Sequence, residues 1–139
     1  MTLTVRPVDA NFVQQVWPLV EQYIQSALDK DGTCTDYNIH HIQAFLAAGQ
    51  WLLLVAVDEE NAIHGAMTVS FVNYPLHRVA FVTTTGGKFI ANSALLEQLK
   101  QILKTRGATK IQAFGRESMV RLLEKSGFEP RNTLVEVLV

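Results

Sequence analysis

Residues 51–57 form the longest unbroken apolar run in the chain, and this run limits the folds that the sequence can adopt. A strand that is apolar at every position is typical of the interior of a sheet that is covered on both faces. The run is far shorter than the roughly 20 residues that a membrane-spanning helix needs. We therefore predict a soluble domain with a central buried strand, and no membrane partner.

The strands next to this run are joined to it by short turns. Residues 3–7 alternate between apolar and polar positions, and residues 63–74 do the same. Residues 79–84 are predicted to form a further strand after a turn that contains proline. Consecutive strands with short connections predict an antiparallel meander.

Two helices are predicted before the apolar run. Apolar residues recur at helical spacing from Phe12 to Leu28. Pro18 lies inside this pattern and predicts a kink or the first position of a second helix. Asp36 is predicted to cap the next helix, and Gly49 is predicted to end it.

The second half of the chain alternates between strands and helices. Apolar residues define a helix over 95–103, with Asn92 or Ser93 as its N-cap. This helix connects strand 79–84 to a short strand over 110–114, and such a crossover makes the two strands parallel. The sheet is therefore predicted to be mixed.

Two further elements complete the chain, a helix over 118–125 and a closing strand over 134–139. The predicted order is β-α-α-β-β-β-α-β-α-β. No repeat or linker divides the sequence, so we assign residues 1–139 to one α/β domain.

The formal net charge of −1 conceals an uneven distribution of charge. Residues 1–74 carry two basic and eight acidic side chains, which gives −6, whereas residues 75–139 carry ten basic and five acidic, which gives +5. A basic half suits a polyanionic ligand, an acidic partner or head-to-tail association with a second copy, and an unevenly charged solvated surface explains it equally well. A single cysteine excludes an internal disulfide and favours a cytoplasmic location.

Metal and nucleic-acid chemistry find little support in the sequence. His40 and His41 are neighbours on a helix and diverge by about 100°, so they do not converge on one metal ion. The basic residues around 100–110 lack the interleaved aromatic side chains that single-stranded nucleic acids stack on. We predict no metal site and no nucleic-acid partner.

The order of elements resembles the GNAT family of acyl-CoA N-acyltransferases over essentially the whole chain. Residues 122–129, Leu-Leu-Glu-Lys-Ser-Gly-Phe-Glu, are similar to the end of the family's last helix with its Gly-Phe pair. Residues 93–99 are similar to the helix that follows the family's cofactor loop. Residues 79–88 and 112–118 are similar to small GNAT-like proteins encoded by bacteriophages.

The resemblance implies an N-acetyltransferase that passes an acyl group from acetyl-CoA to a primary amine. It places the pantetheine between two separating strands, with Thr83, Thr84 and Thr85 along the groove. The diphosphate would lie on amides at a helix N-terminus, where the helix dipole favours negative charge. The implied cofactor-binding residues are Val82, Thr83, Thr84, Gly86, Gly87, Lys88, Asn92 and Ser93.

The diphosphate loop departs from the family pattern of Gln/Arg-x-x-Gly-x-Gly/Ala. The corresponding positions hold Gly87, Ile90 and Asn92, and the last two carry side chains where bare backbone would approach phosphate. Gly86, Gly87 and Lys88 offer a displaced anion-binding turn. The alternative interpretation is that the two glycines only break the strand before the helix.

The family's catalytic acid and base are also not evident. The tyrosine that many members carry in the last helix corresponds to Leu123, which has no proton to give. Ser118 and Glu117 are candidates for a hydroxyl and a carboxylate at the site, although a cap and the helix dipole explain them equally well.

Two hypotheses follow from the resemblance. The first is an acetyl-CoA-dependent N-acyltransferase with a degenerate diphosphate loop, which acts on a small-molecule or protein amine. The second is a non-catalytic GNAT-like phage protein, a pseudoenzyme that serves as a virion or host-interaction module and binds a protein partner or a second copy. Its location would then be the host cytoplasm or the virion.

Overall fold

The computed structural model describes residues 1–31, 36–89, 93–115 and 117–139, without the side chains of Asp31, Glu117 and Ser118. A 3-10 turn, Ala10–Phe12, precedes the first helix. The strands are β1 (Thr4–Val8), β2 (Leu52–Val57), β3 (Ile63–Asn73), β4 (Arg78–Gly87) and β5 (Lys110–Ala113). The helices are α1 (Val13–Asp31), α2 (Ile39–Ala47), α3 (Ser93–Thr105) and α4 (Glu117–Glu124).

The strands form one sheet in the order β1-β2-β3-β4-β5. The first four strands pair antiparallel, and β5 pairs parallel to β4 through the α3 crossover. The predicted meander, the crossover and the mixed sheet are therefore confirmed.

Helices cover both faces of the sheet because the residues of β2 alternate between two apolar cores. Leu54 and Ala56 pack with α3 residues such as Leu99 on one face. Leu53 and Val55 pack with α1 and α2 on the other. All six residues of β2 are buried, as the uninterrupted apolar run predicted.

The start of α2 corrects one predicted cap. Asn38, not Asp36, is the N-cap: its side chain accepts hydrogen bonds from the amides of His40 and His41 at 3.0 and 3.2 Å. The His41 ring accepts in turn from the Asn38 amide at 3.0 Å, which closes a capping box. The prediction was wrong because either polar side chain can cap a helix, and only the residue next to the first turn reaches its amides.

The backbone bears on two other helix predictions. α1 runs without interruption through Pro18, so no second helix begins there, and the alternative of a kink at Pro18 stays a prediction. Gly49 follows α2 in the left-handed conformation with φ of 77°, as a helix stop requires.

Residues 134–139 do not form the predicted closing strand. They lie outside every strand and helix of the described chain, and their apolar side chains are exposed. Alternation of apolar and polar residues gives a segment the tendency to form a strand, but a strand also requires an edge to pair with. In the described part of the chain this segment pairs with none.

Among the residues that the structure describes, no helix is both long and apolar enough to span a bilayer. The same part of the chain contains no group of three or more side chains suited to holding a metal ion.

Candidate active site

The parallel strands β4 and β5 separate partway along β4. Their pairing runs from Val79 opposite Lys110 to Val82 opposite Ala113. β5 ends there, whereas β4 continues to Gly87. The separation leaves a cleft at the carboxyl ends of two parallel strands, which is where open α/β sheets bind ligands.

A β-bulge lies where β4 leaves β5. Thr68 of β3 pairs with Thr84, whereas the next residue, Val69, pairs with Val82, so Thr83 is the extra residue of the bulge. A bulge bends its strand and increases the local twist. It therefore directs the second half of β4 away from β5.

Three threonine hydroxyls connect at this bulge. The Thr83 hydroxyl donates to the carbonyl oxygen of Thr68 at 2.9 Å. The Thr68 hydroxyl lies 2.7 Å from that of Thr83 and 2.6 Å from that of Thr84. Each hydroxyl has one proton. Because the Thr83 proton is used on the carbonyl, Thr68 must donate to Thr83 and Thr84 must donate to Thr68.

Because its one proton is donated to Thr68, the Thr84 hydroxyl can only accept a further hydrogen bond. Its hydroxyl has no second proton to donate, although its oxygen keeps an unused lone pair. Thr68 is fully buried and Thr84 nearly so, so this network holds the bulge in one geometry and cannot readily exchange its partners with water.

Thr85 differs from its three neighbours. Its hydroxyl oxygen is buried and has no hydrogen-bond partner among the described residues. The residue pairs with Met67, which packs in the core on the α3 face. A buried hydroxyl without a partner costs about 1–3 kcal/mol. Since Thr85 lines the cleft, a bound molecule can supply the missing partner.

The cleft has a volume of about 790 Å³, which suits a small-molecule ligand. Most of the side chains that line it are apolar. Among the described residues its charged lining consists of Lys30, Asp36, Lys88 and Glu136.

The lining residues come from both faces of the sheet. Tyr37 and Trp51 contribute on the side of α1 and α2, with an edge-to-face ring contact of 5.3 Å. Leu95 and Leu99 contribute on the side of α3. The walls of the cleft therefore come from both faces of the sheet.

The structure places some of the predicted cofactor-binding residues in the lining of this cleft and others outside it. Val82, Thr83, Thr84, Gly87 and Lys88 line it. Ser93 is the first residue of α3 and is exposed, outside the lining. Gly86 packs against α1, whereas Asn92 and Ile90, together with the side chains of Glu117 and Ser118, lie outside the described residues.

Gly86 and Gly87 have a packing role that neither interpretation of the sequence included. Both belong to β4, opposite Ala66 and Gly65, and the strand ends at Gly87, where φ is 75°. A Cβ atom at Gly86 would lie 2.3 Å from the Tyr23 carbonyl oxygen, so α1 packs directly on this glycine.

The pairing of β4 with β3 also changes what the predicted anion-binding turn at Gly86, Gly87 and Lys88 can offer to a ligand. The Lys88 amide donates to the His64 carbonyl oxygen at 3.0 Å. Gly87 adopts φ of 75°, and a Cβ there would lie 2.4 Å from the same oxygen. The Lys88 amide is therefore used within the fold, and Lys88 can contribute only its side-chain charge to the cleft.

Sequence reasoning missed the two carboxylates of the cleft, Asp36 and Glu136. The sequence pattern predicts a helix cap at Asp36 and a closing strand around Glu136, and neither prediction points to the cleft. The only available signal was position, because Asp36 follows α1 and Glu136 interrupts an apolar segment. Leu123, the position at which the resemblance implies a tyrosine in many members, lines the cleft with an alkyl side chain.

Among the described residues, the two carboxylates with perturbed pKa values are Asp58 and Glu59, which lie away from the cleft in the turn between β2 and β3. A hydrogen bond with the His64 ring at 2.8 Å lowers the pKa of Asp58, and the Ala62 amide adds to this effect. The Thr2 amide, at 2.8 Å, lowers the pKa of Glu59. Both lowered pKa values follow from hydrogen bonds that stabilise this turn, so they do not point to a catalytic role.

The chain has the fold of the GNAT acetyltransferases, as comparison with solved structures shows. A predicted acetyltransferase from Clostridium acetobutylicum, crystallised with acetyl-CoA, has 16% sequence identity and a TM-score of 0.65, with 99% of this chain and 96% of that chain covered. No family model matches the sequence, and no curated protein matches it.

Two further solved structures are similar over the whole chain. The aminoglycoside acetyltransferase HMB0005, from an uncultured soil metagenomic sample, has 18% identity and a TM-score of 0.69, with 100% of this chain and 99% of that chain covered. An acetyltransferase from Trypanosoma brucei has 14% identity and a TM-score of 0.62, with 99% and 100% covered. At these identities the likeness defines the fold alone.

Proposed function

We propose that this protein is an N-acyltransferase that passes an acetyl group from acetyl-CoA to a primary amine. The observation that carries the proposal is the cleft between β4 and β5. It is lined from both faces of the sheet and contains the Thr85 hydroxyl, which has no hydrogen-bond partner among the described residues. The acetyltransferase fold of the structural neighbours supports the same reaction class.

Acetyl-CoA supplies a thioester whose carbonyl carbon an amine can attack, so that a C–N bond forms, the C–S bond breaks and a thiolate leaves. The amine reacts only after it has lost a proton. Asp36 and Glu136 are the carboxylates of the described cleft lining, and we assign them the binding and deprotonation of the ammonium group. Tyr37 and Ser126, which also line the cleft, are the candidates for returning a proton to the thiolate.

The binding of acetyl-CoA relies on Thr85 and Lys88. The Thr85 hydroxyl can both donate and accept, and therefore suits an amide or carbonyl group of the ligand. Thr83 and Thr84 have already used their protons within the bulge. Lys88 adds positive charge for the phosphates where β4 ends.

A binding experiment tests this assignment through two effects of opposite sign. Thr85→Val removes a buried hydroxyl that has no partner, so the ligand-free variant should melt at or above the wild-type temperature. Its affinity for acetyl-CoA should fall about tenfold, the equivalent of one lost hydrogen bond of about 1.4 kcal/mol. Thr4→Val, in β1 at the opposite edge of the sheet, is the matched control and should change neither quantity.

Thermal melting of the wild type with acetyl-CoA provides the first readout. A ligand at 100 times its dissociation constant adds about 2.7 kcal/mol of stability. No shift at millimolar acetyl-CoA would contradict the proposal.

Thiol release with a panel of primary amines tests the chemical step. Asp36→Asn and Glu136→Gln should each lower kcat/KM, and the variant that lacks the general base should lose about 10²–10⁴-fold and the acidic limb of its pH profile. Full activity in both variants would refute the assignment of the carboxylates.

Leu123 favours a second candidate function, a non-catalytic module on the same scaffold. Its alkyl side chain lines the cleft and offers no proton to a thiolate. A phage-encoded virion or host-interaction protein, located in the host cytoplasm or the virion, would need only the surface of this fold. It predicts no thermal shift with acetyl-CoA, no thiol release with any amine and a stable protein partner.

A further inference from the structure

Three aromatic side chains, here called the aromatic wall, line the cleft on the side of α1 and α2: Trp51, Phe81 and Phe114. Trp51 packs against the core that α1 and α2 form with the sheet. Phe81 lies between Ala80 and Val82, which both pack with the α3 core. Because side chains alternate along a strand, Phe81 faces α1 and α2.

Ring contacts fix the orientation of the aromatic wall. Phe114 meets the Phe81 ring edge to face, with 5.0 Å between the ring centroids, and therefore lies on the same side. Trp51 contacts two further rings, a stacked Phe45 at 4.8 Å and an edge-on Tyr37 at 5.3 Å. Aromatic rings attract one another in these geometries, so a ligand ring would meet a surface that is already arranged for it.

The aromatic wall is accessible and has a carboxylate beside it. Phe114 is 72% exposed, so its ring adds little to the core. Asp36 lines the same cleft and directly precedes Tyr37 in the chain. An aromatic surface with few polar groups is typical of a site for a small ligand that is largely apolar.

The charges of the cleft favour a ligand with a single positive charge. Among the described residues, the lining has two carboxylates, Asp36 and Glu136, and two ammonium groups, Lys30 and Lys88. A ligand with several ammonium groups would meet as many like charges as opposite ones, which disfavours it. One ammonium group needs only one of the carboxylates.

We propose that the acceptor is a primary amine that carries one aromatic ring, with the ring on the aromatic wall and the ammonium group beside Asp36. The inference rests on the proposed function, because it names the amine of that reaction. Thr85 pairs with Met67, whose side chain packs with α3, so a cofactor bound to the Thr85 hydroxyl leaves the aromatic wall to the acceptor.

The transfer balances with such an amine. The ammonium group first loses one proton to a carboxylate of the cleft. The free amine then forms a C–N bond to the acetyl carbon and gives up a second proton, while the C–S bond breaks and the thiolate takes up a proton. The product is a neutral amide, which no longer attracts the carboxylate.

A binding experiment tests the substrate class without the chemical step. The chain has two tryptophans, and Trp17 is buried in the core outside the cleft lining, so a ligand-dependent change in fluorescence reports on Trp51. Titration with 2-phenylethylamine, with and without the unreactive product CoA, should change this fluorescence and saturate. Spermidine and kanamycin, which carry several amino groups, should not. No change with 2-phenylethylamine would overturn the inference, whereas the proposed function is decided separately by the thermal shift with acetyl-CoA.

Kinetics test the aromatic wall itself. Phe114→Ala should raise the KM for 2-phenylethylamine about tenfold because a ring contact and buried apolar area are lost. Its kcat and its KM for acetyl-CoA should not change, and Phe114→Tyr should restore the wild-type KM. Phe12→Ala, which removes an exposed ring outside the cleft lining, is the matched control and should leave all three constants unchanged. Equal effects of Phe114→Ala and Phe12→Ala, or a higher kcat/KM with spermidine or kanamycin than with 2-phenylethylamine, would overturn the inference and leave the transferase activity standing.

Discussion

Gly86→Ala tests whether the packing of α1 on β4 shapes the cleft. The backbone of Gly86 is outside the left-handed region, so alanine is excluded by space and not by its own conformation. The added Cβ would lie 2.3 Å from the Tyr23 carbonyl oxygen, and ordinary contacts begin at 3.4 Å, so the helix and the strand must separate by about 1.1 Å. The atom in the way is backbone, which cannot rotate aside.

The expected cost is that of an overpacked core, about 1–3 kcal/mol. For a chain of 139 residues this lowers the melting temperature by about 3–10 °C. Because the displaced elements border the cleft, the affinity for acetyl-CoA should fall in the same variant. Thermal melting and urea unfolding measure the first effect, and titration with acetyl-CoA measures the second.

Gly115→Ala is the control for this prediction. Its Cβ would lie 3.1 Å from a methyl group of Val120, and the side chain can give way. Its stability should stay within about 0.5 kcal/mol of the wild type, since reduced freedom of the unfolded chain offsets a small contact penalty. If Gly86→Ala unfolds at the same temperature as Gly115→Ala, then α1 is not held against β4 as described.

Three further predictions concern stability. Asn38→Ala should lower the free energy of unfolding in urea by about 1 kcal/mol because it leaves the first amides of α2 unpaired. Asp36→Ala should leave that free energy unchanged, and the reverse order of effects would make Asp36 the cap. Thr68→Val should cost about 1–3 kcal/mol because Thr84 loses a buried acceptor, and an unchanged urea midpoint would mean that water replaces it. Asp58 has its pKa lowered below the ordinary 3.8 by His64, so its contribution is complete above that pH and is lost as the pH falls through the lower folded value. Melting at a series of acidic pH values should show less acid sensitivity in Asp58→Asn, and identical curves would contradict this.

The fold could be predicted largely from local pattern because its elements depend on local chemistry. The apolar run over β2 required cover on both faces, and the structure buries every residue of it. The α3 crossover followed from a strand, a helix and a strand in sequence. Each of these predictions rests on residues that are neighbours in the chain, where periodicity carries the information.

The site could be predicted only in part because it depends on where separate segments meet. The threonines of β4 could be predicted as cleft residues because the resemblance implies a pantetheine groove along that strand. Asp36 and Glu136 enter the same cleft from segments about 100 residues apart, and no periodicity links them. The prediction of a strand over residues 134–139 was wrong, because the alternation of apolar residues contains no information about an edge for that strand to pair with.

The two glycines of β4 have a packing role in this chain that differs from the role of glycine in the diphosphate motif. The diphosphate motif places glycine where backbone meets phosphate, whereas in this chain Gly86 and Gly87 allow α1 and the β2–β3 hairpin to approach β4 closely. That approach fixes the half of β4 beyond the bulge, which β5 no longer supports. The same packing uses the Lys88 amide within the fold, so Lys88 has only its side-chain charge to offer to a ligand in the cleft.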